Sequence, residues 1–588
     1  MVNNVQWDPQ AEMLETKTPK SETGIYLGIS LTVILFNLIA VWGVDILLHD
    51  DPVWYGNVIA GKFPQILVKS SPLLAYKEWI AWQIMAYSPQ LARLLYILFL
   101  MVPLSCGFYY LLRRQLGFSR WEALAAAILP NILPHQSQIP AGINMSYPLL
   151  GMVFIFLALI TGLHYLETKK PRKWPLLLTA AVSYYLACHF MEQSLFLYPA
   201  LVLIFFAYRK RNRKPYWIFS LFTVIAADKL IRMMISPRKV PVSVPLEEIL
   251  ERTGLYFKWT LPFPGIHPLF PVIFTLAVIA AGFILHLKYA ANTGERISRI
   301  DGPFTKTVSP VEEPGRGVKK QIVNLYAFFI VWVTASMVVF LGKVPFFIPR
   351  YTYIAAYGQV ALLVYSISVL LRAVLPGKYK THAIVLMGVI VFSGIYRYIN
   401  LSAIYAPGNT SHAIIVKELN KIELPPKSQV VVVGAEGIPG CWLRTCGYLR
   451  FALKRKDIDG IVGPINTLGY YNFDRHFDPK DRKMLIRHLM TGLSLDRPVF
   501  LFLLEEKSRR LRQLEYTLEW KGETWNSPWT IIHVDKKTGK PSPWVSGVGK
   551  EQYETALKEL EKKGISQAEI VWGGPPTQEE LARLEGSL

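Results

Sequence analysis

The sequence predicts an α-helical membrane protein of about eleven crossings, followed by an α/β domain on the extracytoplasmic side. Three observations predict it. The 588 residues are 52% hydrophobic and 18% charged, with mean hydropathy +0.27, too apolar for a soluble chain of this size. Apolar stretches of roughly 20 residues recur from Gly24 to Tyr398, each long enough for a hydrocarbon core of about 30 Å. Basic clusters fall between those stretches, so the formal charge of +22 reports topology, and nucleic acid is not an expected partner.

The apolar runs are Gly24–Leu48, Leu91–Leu112, the short Trp121–Pro134, Tyr147–Leu166 and Trp174–Tyr208. The last is long enough for two crossings, broken near His189–Gln193. Tyr216–Ile235, Pro268–Leu287, Val323–Leu341, Tyr351–Leu371 and Ala383–Tyr398 complete the set. The polar N-terminus and the length of the first run predict no cleaved signal peptide. Five connections are basic: Arg113, Arg114 and Arg120; Lys169, Lys170, Arg172 and Lys173; Arg209–Lys214; Lys288, Arg296, Lys319 and Lys320; and Lys378 with Lys380. Counting crossings puts all five on one face, which the positive-inside rule makes cytoplasmic, together with residues 1–23. The membrane module is then 24–400. The loop 49–90, His135–Pro148, Ser236–His267, Gly342–Arg350 and everything after Asn400 face outward, in a chain expected in the inner membrane of a bacterium.

Residues 401–588 form the α/β domain. Strands are expected in "SQVVVVGAE", "PVFLFLL" and "AEIVWGG", and helices in "CWLRTCGYLRFALKR" and "GKEQYETALKELEKKG". Gly434, Gly437 and Gly440 do not have the spacing of a dinucleotide fingerprint and read as a turn. Four cysteines are too few for a disulfide scaffold; Cys106 and Cys188 fall in membrane runs. Cys441 and Cys446 either form a disulfide or stay free, since residues five apart diverge around a helix.

The first apolar run stops at "VDILLHDDPVWYGN", with His49, Asp50 and Asp51 at its mouth. Those charges either mark the bilayer boundary or do chemistry there. Asp45 lies four residues before His49, on the same helix face, and an ionisable group within a membrane segment is a functional candidate. Adjacent carboxylates repel unless water, a cation or a substrate compensates. The long loop that follows carries Trp79 and Trp82 at the spacing of an interfacial helix, "LLAYKEWIAWQIM". The chemical reading is favoured.

An acidic pair after the first membrane helix, an interfacial first loop, many crossings and an outer C-terminal domain resemble the integral-membrane glycosyltransferases of the GT-C fold. Those include protein mannosyltransferases and the enzymes that glycosylate bacterial envelope lipids and glycans. "HFMEQSLFLYPAL" resembles the Glu-containing segment of bacterial members, and "PRYTY" the Arg-Tyr opening of a late helix. The likeness covers Gly24 to Asn400, and the outer domain has no counterpart in it. The resemblance implies a polyprenyl-phosphate sugar as donor and a glycan, lipid or protein as acceptor, at the bilayer surface. It places an acidic catalytic residue at Asp50 or Asp51, Asp50 being the first choice.

Such a transfer needs a base for the acceptor hydroxyl and a cation for the departing phosphate. The cation candidates are Arg350, Lys343, Lys229 and Arg232. Arg350 is either a phosphate ligand or an interfacial anchor, and Asp228 and Arg232 have the spacing of an ion pair. His49, His135, Gln138, His189, Glu192 and Tyr351 are candidates for the sugar or acceptor; His189 and Glu192 share a face, and His135 and Gln138 lie in an outer loop. No cofactor is required. A divalent metal such as Mg²⁺ or Mn²⁺ at His49, Asp50 and Asp51 is the alternative to a metal-free base. A lipid-glycan flippase and a glycan ligase or polymerase are the rival readings, although no internal repeat of the kind transporters carry is evident.

Overall fold

The computed structural model describes residues 19–41, 72–133, 146–167, 173–191, 193–207, 216–235, 246–260, 269–292, 314–343, 352–375, 379–433, 435, 446–463, 499–505, 508–513, 516–520, 523–526, 533–534, 541–542 and 569–572. Its membrane part is a bundle of helices: α1 Pro19–Val41, α2 Pro72–Tyr87, α3 Pro89–Gln115, α4 Arg120–Ile132, α5 Ser146–Glu167 and α6 Trp174–Phe190. Next come α7 Gln193–Ala207, α8 Tyr216–Ile235, α9 Leu246–Thr260, α10 Leu269–Asn292, α11 Pro314–Lys343, α12 Tyr353–Val374 and α13 Tyr379–Leu419. Seven of them (α1, α3, α5, α10, α11, α12 and α13) are long and apolar enough to cross a membrane, so this is a multi-pass membrane protein. Of the other expected crossings, α4 and α6 are shorter, and α8 carries Asp228, Lys229 and Arg232 in its last turns.

Helix α1 shows why lipid is the solvent. Leu27, Leu31, Leu35 and Ile39, four apart on one face, are exposed, while Ile25, Ile29, Val33 and Asn37 on the other are buried. A soluble protein would not present such a stripe. The most enclosed span is α12, with 78% of its apolar window buried; α10, at 17%, lies at the rim. Around α12 pack α4, α10 and α11, while α1 and α3 close on α4 from the other side.

Helix ends follow from local chemistry. Ser88 caps α3, accepting from the Leu91 N–H at 3.2 Å, with Pro89 in the first turn. Pro103 lacks a donor, and the turn before it opens to a wider bond in which the Val102 N–H reaches the Ile97 carbonyl. Ser119 and Glu122 make a reciprocal capping box at the start of α4. With 13 residues, α4 rises only about 20 Å, so its last carbonyls fall short of water. The guanidinium of Arg397, buried in α13, donates to the carbonyl of Asn131 and satisfies one of them.

Two polar layers fix which helix ends lie together. At one end Arg114 of α3 pairs with Glu22 of α1, and Arg372 of α12 with the buried Glu122 of α4 at 2.5 Å. Tyr110 and His164 join α3 to α5 at that same end, at 2.7 Å. Towards the other end, the Asn131 side-chain carbonyl accepts from Tyr353 (2.5 Å) and Tyr357 (3.1 Å), and its amide donates to Ser105 (2.5 Å). Helices α3, α5 and α12 all end on the Glu22 side of the bundle.

The expected boundary at Asn400–Leu401 falls inside α13, which runs on to Leu419 and packs against strand β4 of a sheet. That sheet has the order β2-β1-β3-β4, built from β1 Gln429–Val433, β2 Asp459–Gly463, β3 Val499–Glu505 and β4 Arg510–Gln513. β1 lies parallel to β2 and β3, β4 is antiparallel, and α14 Cys446–Leu453 makes the crossover from β1 to β2. Val430, Val431 and Val432 are buried, as a central strand covered on both faces requires. His412 of α13 bonds the Tyr448 hydroxyl of α14 at 2.7 Å. β5 Tyr516–Trp520 pairs with β6 Glu523–Asn526 and β9 Glu569–Trp572; β7 His533–Val534 and β8 Pro541–Ser542 form a separate pair. The strands expected in "SQVVVVGAE", "PVFLFLL" and "AEIVWGG" and the helix after Cys441 are present; "GKEQYETALKELEKKG" and Cys441 lie outside the described residues.

Candidate functional site

Helices α6 and α8 start together, Trp174 and Trp217 lying 6.4 Å apart, and run side by side away from the Glu22 end. The apolar run expected to break near His189–Gln193 does so at Met191, whose backbone turns extended (φ −147°, ψ 112°). The break leaves polar side chains without helical neighbours in an apolar wall. His189, in the last turn of α6, is 9% exposed, and its ring lies 4.3 Å from that of Tyr185. Gln193 and Ser194 open α7 and are buried. The Nδ1 of His189, the Nε2 of Gln193 and the Oγ of Ser194 have no hydrogen-bond partner among the described residues. Burying such groups dry is unfavourable, so each calls for a partner beyond the described side chains.

Lys229 of α8 is 6% exposed, and Lys229, Arg232 and Asp228 all act electrostatically on His189. Arg232 is exposed and its Nε donates to Asp228 at 2.8 Å, the pairing that their spacing predicts. Lys229 and Arg232, expected as phosphate cations, thus lie near His189, expected as a sugar or acceptor ligand. The turn that opens α7 touches α8, and α2 packs on α6. In α2, expected as an interfacial helix, Trp82 is buried and Trp79 is exposed.

Asp45, His49, Asp50, Asp51, His135, Gln138, Glu192, Arg350 and Tyr351 lie outside the described residues. Lys343 closes α11, and its side chain is likewise not described. No group of three or more His, Cys, Asp or Glu residues suited to a metal occurs among the described residues. His49, Asp50 and Asp51, considered for a divalent ion, lie outside those residues.

Sequence reasoning missed two things. Arg397 is a buried charge inside the last apolar run, and a single Arg in such a run was the available signal. Gln193 and Ser194 stand in the quoted segment "HFMEQSLFLYPAL", but their burial without partners has no sequence signature.

No protein-family model matches the chain, and no curated protein is similar to it in sequence. Among solved structures it is similar to the archaeal oligosaccharyltransferase AglB of Archaeoglobus fulgidus in complex with an inhibitory peptide and a dolichol-phosphate, at 12% identity and TM-score 0.37 over 86% of this chain and 74% of that one. A second structure of the Archaeoglobus fulgidus oligosaccharyltransferase, with zinc and sulfate, gives 13% identity and TM-score 0.35 over 86% and 73%. ArnT of Cupriavidus metallidurans bound to undecaprenyl phosphate gives 14% identity and TM-score 0.35 over 83% and 94%. All three are GT-C fold membrane glycosyltransferases, the class that the sequence resembles. Likeness this slight carries no argument for fold or function.

Proposed function

We propose that this chain is a membrane glycosyltransferase that moves a sugar from a polyprenyl-phosphate donor to an acceptor outside the cytoplasm. One observation carries the reading. An acidic pair directly follows the first membrane span, and a buried lysine and histidine gather at the end of the bundle opposite Glu22. A base and a cation are what transfer from a lipid phosphate requires. The topology in this reading has about eleven crossings, with residues 1–23 cytoplasmic and the loop 49–90 and the sheet-bearing domain outside.

The acceptor hydroxyl attacks the anomeric carbon as the carboxylate of Asp50, or of Asp51, takes its proton. The bond from that carbon to the phosphate oxygen breaks, and its electron pair leaves with the polyprenyl phosphate. Fixed positive charge near the phosphate lowers the barrier because the leaving group gains charge in the transition state. Lys229 fits that role by its burial, with Arg350 and Lys343 as further cations of the same face. Arg232 is the weakest of the four, because Asp228 already neutralises it. Phosphate is a competent leaving group, so no second carboxylate need act as an acid, in contrast to glycoside hydrolysis.

The test is turnover of a labelled polyprenyl-phosphate sugar by the purified protein. Release of polyprenyl phosphate with label on an acceptor is expected. A flippase releases none, and a ligase acting on lipid pyrophosphates spares this donor; either result removes the reading.

A further inference from the structure

The rim helix α10 makes its most extensive contact with α12, the most enclosed span. They touch at Gly282, where an added Cβ would lie 2.6 Å from that of Ser366. His286, four residues further along α10, lies within electrostatic reach of Arg372, six residues beyond Ser366. The two helices therefore run in the same direction. Seven residues are two turns of a helix and return to the same face, about 10 Å along the axis. Two turns before the Gly282–Ser366 contact stand Thr275 in α10 and Gln359 in α12. Thr275 is five residues into its apolar span and Gln359 six into its own, so depth and face agree.

Both side chains are polar and enclosed, Thr275 at 0% exposure and Gln359 at 1%. The hydroxyls of Thr161, Thr179, Thr223 and Thr253 each donate to the carbonyl four residues back, at 2.6 to 2.7 Å. That of Thr275 makes no such bond, and neither the Nε2 nor the Oε1 of Gln359 has a partner among the described residues. Unmade hydrogen bonds within a membrane span are costly. A fitting partner both donates and accepts, is neutral like the groups it meets, and is small enough to be enclosed. Water meets those terms. Buried water typically makes about three hydrogen bonds, and the Thr275 hydroxyl and both polar atoms of the Gln359 carboxamide are open to it.

We propose that the seam between α10 and α12 binds ordered water, which bridges the Thr275 hydroxyl to the Gln359 carboxamide. The rim helix is thereby tied to the centre of the bundle through solvent held inside the membrane span. The site is independent of the glycosyltransferase reading and stands or falls without it.

A density map of the full-length protein in lipid nanodiscs, sharp enough to show water, tests this directly. The expected result is a peak within about 3.2 Å of both the Thr275 Oγ1 and a polar atom of the Gln359 carboxamide. A direct bond between the two side chains, or a seam without a peak, overturns the proposal. Unfolding midpoints in detergent give a second readout, and there the sign decides. With water in place, Thr275→Val and Gln359→Leu each strip a partner from the bridge and should lower the midpoint by roughly 1–3 °C. Thr275→Ser keeps the hydroxyl and should keep most of the wild-type midpoint. If the seam is dry, the same polar atoms are a penalty, and removing either one raises the midpoint. A raised or unchanged midpoint in Thr275→Val or in Gln359→Leu therefore overturns the bridge.

Discussion

At the scale of single residues, the bundle is held by polar groups whose two partners are unequally buried. Glu122 is almost fully buried, while Arg372, its partner at 2.5 Å, is nearly half exposed. Removing the arginine leaves a buried carboxylate with the Ser119 N–H, at 2.7 Å, among its few remaining donors. Removing the glutamate leaves a guanidinium that water can reach. Arg372→Met should therefore cost more stability than Glu122→Gln, about 3 kcal/mol against about 1 kcal/mol. The double variant should recover much of the difference. Thermal unfolding in detergent checks the order, and equal losses would mean that both charges are hydrated. Little of this could be read beforehand. "SRWE" announces a capping box, but nothing in the sequence announces that Arg372, 250 residues on, completes it. Nor does the sequence announce that Arg397 donates to the carbonyl of Asn131, 266 residues before it.

Helices were the most legible elements, because apolar length and breaks in it have direct physical causes. The break after His189 was foreseen for that reason. The end of α13 was not: hydropathy falls where lipid ends, near Asn400, but hydrogen bonding carries the helix 19 residues further, to Leu419. Strands β2 and β4 were missed because both are short, and Gly460 and Arg510 dilute their apolar pattern. Packing between elements is sharper than propensity. A Cβ on Gly282 of α10 would lie 2.6 Å from the Cβ and 2.8 Å from the Cα of Ser366 in α12, and backbone cannot move aside cheaply. A Cβ on Gly28 of α1 would meet nothing within 4 Å. Gly282→Ala should destabilise by about 1–3 kcal/mol, whereas Gly28→Ala should stabilise by up to about 1 kcal/mol through helix propensity. Unfolding midpoints moving in the same direction for both would show that α10 and α12 do not meet at this glycine.

For the whole molecule, the account has one face for charge anchoring and one for chemistry. Cysteines placed at Lys173 and at Lys421, in a background without the four native ones, test that division. A membrane-impermeant maleimide should label position 421 in spheroplasts and position 173 only after permeabilisation; the opposite pattern inverts the topology. The central claim is that one of the two adjacent aspartates is the base of a sugar transfer. Asp50 continues the first helix and is the first choice, while Asp51 precedes Pro52 and is biased towards extended backbone. Asparagine keeps the shape and removes the proton acceptor. The direct measurement is the rate of polyprenyl phosphate release at saturating donor by the wild type, Asp50→Asn and Asp51→Asn, each confirmed monodisperse. The account predicts a loss of about 10²- to 10⁴-fold in one of the two. More than about a tenth of the wild-type rate in both falls outside that range and would contradict it, leaving His49, Asp50 and Asp51 as the edge of a membrane helix.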